Sequence, residues 1–136
     1  MSSISTIALS GMNAAARRLE VSASNVANVM STGALPNADG TVPAGAPRAY
    51  APLELVQTAS AGGGTQTTVT TATPSTTGVF DPQAGFANQN GLVAAPNVDL
   101  SQEMVGQLIA SYSFAANAAT QKASDRMTKS LLDVTA

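Results

Sequence analysis

Prolines and glycines are unevenly placed in this chain. Residues 31–96 hold all seven prolines and nine of the eleven glycines, which leaves two flanks almost free of helix breakers. The first flank, Ile4 to Met30, has only Gly11, the second, Val98 to Ala136, has only Gly106, and neither has a proline. Glycine costs about 1 kcal/mol and proline about 3 kcal/mol inside a helix, so the flanks can run as long helices and the middle cannot. The expected fold class is mainly α: long N- and C-terminal helices packed as an antiparallel coiled-coil hairpin, with a small β-rich insert between them. The expected parts are a coiled-coil helix over 1–32, a β-rich and loop insert over 33–96, and a second coiled-coil helix over 97–136. Helices of about 25–35 residues reach about 40–50 Å.

Both flanks carry an apolar period. In the first, Leu9, Met12, Ala16, Leu19, Ala23, Val26 and Met30 follow alternating steps of three and four, the seam of a coiled-coil helix. A second row, Ala8, Ala15, Ser22 and Val29, repeats every seven residues beside it, so the stripe is wider than one partner helix requires. The last flank shows Val105, Ile109, Tyr112, Ala116, Ala119, Ala123, Met127, Leu131 and Val134, mostly in steps of four, the period of a straight helix. Its start is signalled by Pro96, by Asp99 as N-cap and by Gln102 at the capping-box position, with Glu103 adding first-turn charge. Asn25 and Asn28 end the first helix, where asparagine caps carbonyls or bonds to neighbouring chains.

In the middle, residues 49–57 and 65–73 alternate like strands, and Gly62, Gly63 and Gly64 between them read as a turn. Residues 33–47 read as a flexible loop.

Composition narrows the function classes. Charged residues are 10 % of the chain, low for two freely solvated helices, and the aromatic share of 4 % excludes a large aromatic core. A net charge of −2 gives no footprint for nucleic acid, and six scattered basic residues make a poor membrane anchor. No run reaches the ~18 apolar residues of a membrane span. Met1 to Ser10 does not read as a signal peptide, so export from the cell requires a route without signal cleavage. With no Cys and no His, disulfides and Cys/His zinc sites are excluded, and general acid–base chemistry lacks its usual groups. Asp99 and Glu103 share a helix face, but a cap and a first-turn charge explain them. The triple glycine lacks the Gly-Lys-Ser/Thr that a phosphate loop requires. No catalytic, cofactor or metal site is expected, and the chain reads as no enzyme.

Ordering each residue costs about 1–2 kcal/mol of backbone entropy, and alanine-rich helices recover little area per residue. The isolated chain is therefore expected to be marginal, with assembly supplying the missing burial.

The motifs then point to a family. Residues 16–28, from Ala16 through Arg17, Arg18, Leu19, Glu20 and Val21 to Ser24, Asn25, Val26, Ala27 and Asn28, resemble the N-terminal motif of flagellar axial proteins. Phe80-Asp81-Pro82, Asn90-Gly91-Leu92-Val93, Pro96-Asn97-Val98-Asp99-Leu100, Glu103-Met104-Val105 and the run from Ala110 to Asn117 resemble the FlgC-type basal-body rod proteins. Lys122, Met127 and Leu131 to Val134 match the tail of that family. Tyr112, Phe114 and Ala115 depart from it, where Arg, Tyr and Gln are usual.

The resemblance implies a structural subunit of the proximal rod, polymerising through its terminal helices to form the drive shaft and the export-channel wall. It implies export through the flagellar type III apparatus and a place in the basal body across the periplasm. Implied partners are further copies, other rod proteins and a FliE-type adaptor, with neither nucleic acid nor membrane insertion. Residues expected at subunit contacts are Leu9, Met12, Ala16, Arg18, Leu19, Ala23, Asn25, Val26, Asn28, Asn97, Asp99, Glu103, Val105, Ile109, Tyr112, Ala116, Asn117, Met127 and Leu131. Another rod or hook protein, or a cytoplasmic coiled-coil adaptor or chaperone, is the alternative.

Overall fold

The structure, a computed structural model, describes residues 3–37 and 39–135. Helix α1 spans Ser3–Ala27 and helix α2 Leu100–Thr135; between them lie strands β1 (Leu53–Ala59), β2 (Thr65–Thr71), β3 (Thr76–Phe80) and β4 (Leu92–Pro96). β1 pairs antiparallel with β2, and β3 with β4, as two separate two-stranded sheets. The expected mainly-α class is therefore corrected to a mixed α/β fold, since the two helices take up less than half the chain and flank four strands. The physical reason is that the insert holds a second hairpin besides β1–β2: its second half closes β3 on β4. Asn88 drives that closure, its side chain accepting the Asn90 and Leu92 amides at 2.9 Å while Gly91 supplies the positive φ.

The helices lie side by side and antiparallel. Ser22 Oγ donates to the Glu103 carbonyl at 3.1 Å near one end, and Gln121 Nε2 donates to Ser5 Oγ at 3.2 Å near the other. Buried Ala8, Ala15 and Ser22 form the row of α1 that faces inward, and Ala110 and Ser124 are buried on α2. The row of Leu9, Met12, Ala16, Leu19 and Ala23 read as the seam instead lies largely outside, with Leu9, Ala16, Leu19 and Ala23 exposed. Small side chains let the axes approach closely, and leucines on the same row would hold them apart.

Gly11 faces α2 closely: an added Cβ there would stand 2.5 Å from Asn117 Oδ1. Gly11→Leu is expected to overpack this point and lower the unfolding free energy by about 2–3 kcal/mol. Urea unfolding followed at 222 nm checks it, and an unchanged midpoint would contradict the close approach.

The β1–β2 hairpin lies along α1. Gly63 and Gly64 adopt positive φ in its turn, and the Thr65 amide donates to Ser10 Oγ at 3.2 Å. An added Cβ on Gly64 would fall on Ser10 Oγ, so the triple glycine is a contact with α1 as well as a turn. Arg18 Nη2 donates to Gln57 Oε1 at 2.7 Å further along. After α1 the chain crosses β4, where Gly33 and Ala94 exchange two backbone hydrogen bonds of 2.9 Å. Val93, Ala94 and Ala34 are the buried apolar centre of this second unit.

Candidate assembly surface

Asn25 ties together three elements at one end of the molecule. Asn25 is 2 % exposed and uses its full hydrogen-bonding capacity. Its Nδ2 donates to the Leu53 carbonyl at 2.9 Å and to Glu103 Oε1 at 2.6 Å. Its Oδ1 accepts from the Leu53 amide at 2.9 Å and from the Tyr50 hydroxyl at 3.1 Å. Asn25 thus joins α1, α2 and the first strand of the insert. Asn28 has a local role, its Nδ2 donating to the Ser24 carbonyl at 2.9 Å to close the helix end.

The start of α2 is held in the same region. Asp99 Oδ1 accepts the Ser101 and Gln102 amides at 2.9 and 3.1 Å, and the Gln102 side-chain amide reaches Asp99 Oδ2 at 3.2 Å. Asn97 Nδ2 donates to the Pro74 carbonyl at 3.1 Å. Asn117 Nδ2 returns to the Ser113 carbonyl at 2.8 Å beneath Gly11. Of the residues expected at subunit contacts, Arg18, Asn25, Asn28, Asn97, Asp99, Glu103 and Asn117 therefore have polar atoms engaged within the chain.

The apolar ones lie elsewhere. On α2, Val105, Ile109 and Tyr112 are joined by Leu108, which the sequence reading passed over, and these four are 47–69 % exposed. Leu108 and Tyr112 flank Ala110 by two residues each, about 200° of rotation, so they project from the side of the helix away from α1. Ala116, Met127 and Leu131 are also exposed, while Met12 and Val26 on α1 are half-buried. Leu19 and Ala16 of α1 and Phe114, Ser111 and Ala110 of α2 line an open apolar groove between the helices. Met104 and Phe114, like Leu108, are exposed but are not among the residues expected at subunit contacts; the spacing carries the signal, since Met104 and Leu108 are one turn apart and Leu108 and Tyr112 the next.

The arrangement reverses the usual helical hairpin. The seam within the chain is alanine, glycine, serine and asparagine, and the large apolar side chains face outward. An exposed apolar face of this kind is a candidate interaction surface.

Residues 6–34 match the family described as Flagella basal body rod protein, and residues 89–134 match the Flagellar basal body rod FlgEFG protein C-terminal family. The chain belongs to the flagellar basal body rod proteins. No curated protein matches it. As a rod-family protein it is a structural component of the flagellar basal body. The two matched segments contain both ends of two ties described above: Asn25 with Glu103, and Gly33 with Ala94. Leu53 and Tyr50, which complete the shell of Asn25, lie in the unmatched stretch between them.

Proposed function

We propose that this chain is a structural subunit of the proximal rod, of the FlgC type, and that it polymerises through its two helices to form the drive shaft and the wall of the export channel. It carries no catalytic role. It assembles with copies of itself, with other rod proteins and with a FliE-type adaptor, after leaving through the type III export apparatus without signal cleavage, and it spans part of the periplasm. Its subunit contacts include Leu9, Ala16, Leu19, Val105, Ile109, Tyr112, Met127 and Leu131, with Leu108 added.

The observation that supports this reading is the outward placement of the large apolar side chains around a seam of small ones. Burying a large apolar side chain is worth about 1.5–3 kcal/mol, so those already half-covered each still offer about 1 kcal/mol to a neighbour. Contacts that do not close on themselves build helical filaments.

Leu19→Asp and Ile109→Asp test it. Both positions are nearly half-exposed, at 44 % and 47 %, so the isolated chain is expected to keep its circular dichroism and to change in stability by no more than about 1 kcal/mol. In an assembled rod the same aspartate is buried and unpaired, at several kcal/mol in every repeat. Loss of motility, with no variant chain in purified hook–basal bodies, is the expected result. Motile cells carrying either variant in their basal bodies would refute it.

A further inference from the structure

We infer that the free edge of β2 pairs antiparallel with the free edge of β3 in a second copy of this chain, so that each contact joins two hairpins into one four-stranded sheet. The inference deepens the rod-subunit reading above and rests on it.

The ladders fix which backbone groups point outward. In β1–β2 the Ala72 amide donates to the Pro52 carbonyl and the Ser60 amide to the Gly64 carbonyl, so the even-numbered residues carry the ladder. The odd-numbered residues present their amides and carbonyls to the outer edges. On β1, α1 engages this edge: Asn25 takes the Leu53 amide and carbonyl, and Arg18 reaches the Gln57 side chain. On β2, Ser10 takes the Thr65 amide, and the backbone groups of Thr67, Val69 and Thr71 that face outward have no partner among the described residues. In β3–β4 the Asp81 amide donates to the Gly91 carbonyl and the Asn97 amide to the Ser75 carbonyl, so there the odd-numbered residues of β3 carry the ladder. The outer edge of β4 is filled, Leu92 by Asn88 and Ala94 by Gly33. The outer edge of β3 is not: the amides and carbonyls of Thr76, Gly78 and Phe80 have no partner among the described residues.

Two bare edges of equal length thus remain, and they do not meet within the chain, since no Cα of β2 lies within 8 Å of one in β3. Neither strand holds a charge, a proline or a bulge, the usual devices that keep an edge from pairing. Apposing them therefore buries no charge, whereas β1 would bring Glu54. In antiparallel sense Thr67, Val69 and Thr71 stand opposite Phe80, Gly78 and Thr76 of the second copy, and each pair can exchange both hydrogen bonds. Phe80, 70 % exposed in the single chain, then lies beside a β-branched residue, and Val69 meets one without a side chain. A pairing this short falls below the about 1,200–2,000 Å² buried in a stable complex, so it forms within the rod, where other contacts hold the copies, and not between free chains. Because the two edges differ, the contact is heterologous and open-ended.

The test uses the absence of native cysteine. Thr70→Cys and Thr77→Cys leave every charge in place, and both threonines are exposed. In the proposed register they form a non-hydrogen-bonded pair with Cα atoms about 4.5 Å apart, within reach of a disulfide. Inside one chain they are more than 8 Å apart, beyond the ~7 Å limit. The full chain carrying both substitutions is oxidised in purified hook–basal bodies and analysed on a non-reducing gel. The expected result is dimers and higher multimers in which mass spectrometry finds peptides 70 and 77 joined, with no dimers from either single substitution. Gly78→Pro removes one outward amide and leaves the β3–β4 ladder intact; added to the two cysteines, it is expected to lower the bridge per incorporated chain at least tenfold. Undiminished bridging in that variant overturns the edge pairing. A chain incorporated into basal bodies without the 70–77 bridge overturns it as well and leaves the rod-subunit reading standing. Dimers from a single substitution also overturn it, as they require like edges to meet. Absence of the unsubstituted chain from basal bodies removes both.

Discussion

Asn25→Leu is expected to lower the unfolding free energy by about 3–5 kcal/mol, the largest loss from any single side chain here. Leucine has the same branched four-atom side-chain skeleton as asparagine and is bulkier, so the change leaves no cavity. It does remove two donated and two accepted hydrogen bonds at a position that is 2 % exposed. The Leu53 amide and carbonyl lose a partner together, and each buried polar group left unpaired costs about 1–3 kcal/mol. Glu103 loses its only donor outside its own helix among those described, beside an inserted apolar side chain. Asn25→Asp does not rescue the site: a carboxylate cannot donate to the Leu53 carbonyl, and it stands against Glu103. Urea unfolding of both variants checks the claim. A loss below 1 kcal/mol in Asn25→Leu would show that the contacts at this end are not held by Asn25.

Gly33→Ala is the second large effect, at about 3 kcal/mol. The constraint is space, as the added Cβ would fall on the backbone of Arg48 and Ala49 and near the Pro47 carbonyl. No side-chain rotation relieves a clash with backbone, so the strand crossing must move. Moving it breaks both hydrogen bonds with Ala94 and opens the contact over Val93 and Ala34. Two hydrogen bonds at about 1 kcal/mol each, plus partial exposure of two small apolar residues, give the estimate. The expected signature is a lower unfolding midpoint together with loss of protection at the Ala94 amide in hydrogen exchange. Full protection at Ala94 would mean the loop accommodates the methyl group, contrary to the geometry.

The two helices are legible in the sequence because breakers are confined to the middle and because Asp99 and Gln102 announce the start of α2. The β1–β2 hairpin is legible because alternation flanks a glycine turn. The β3–β4 hairpin is not: Phe80 to Leu92 contains Asp81-Pro82 and Asn88 to Gly91, turn residues that give no sign of which strands they join. Missing that hairpin makes the fold read as mainly α. The inward row of α1 is misread for a different reason. Ranking by hydrophobicity puts Leu9 and Leu19 inside, but the inward row is filled by the smaller Ala8, Ala15 and Ser22, and periodicity alone cannot say which neighbour a stripe faces. The role of Asn25 is half visible. Its place at a helix end marks it as a hydrogen-bonding residue, while Leu53 and Tyr50, its partners across the fold, are named by no local pattern.

The unequal fastening of the helix pair has a mechanical consequence. One end is pinned by Asn25, Ser22 and Glu103 across three elements, whereas along the middle the helices touch through alanine and glycine. Once the contacts of Ser5 and Gln121 at the far end are broken, parting the helices from there gives up little per turn until the pin is reached. Strain applied to such a pair peels it like a zip fastened at one side, and on release the pinned end restores the same alignment.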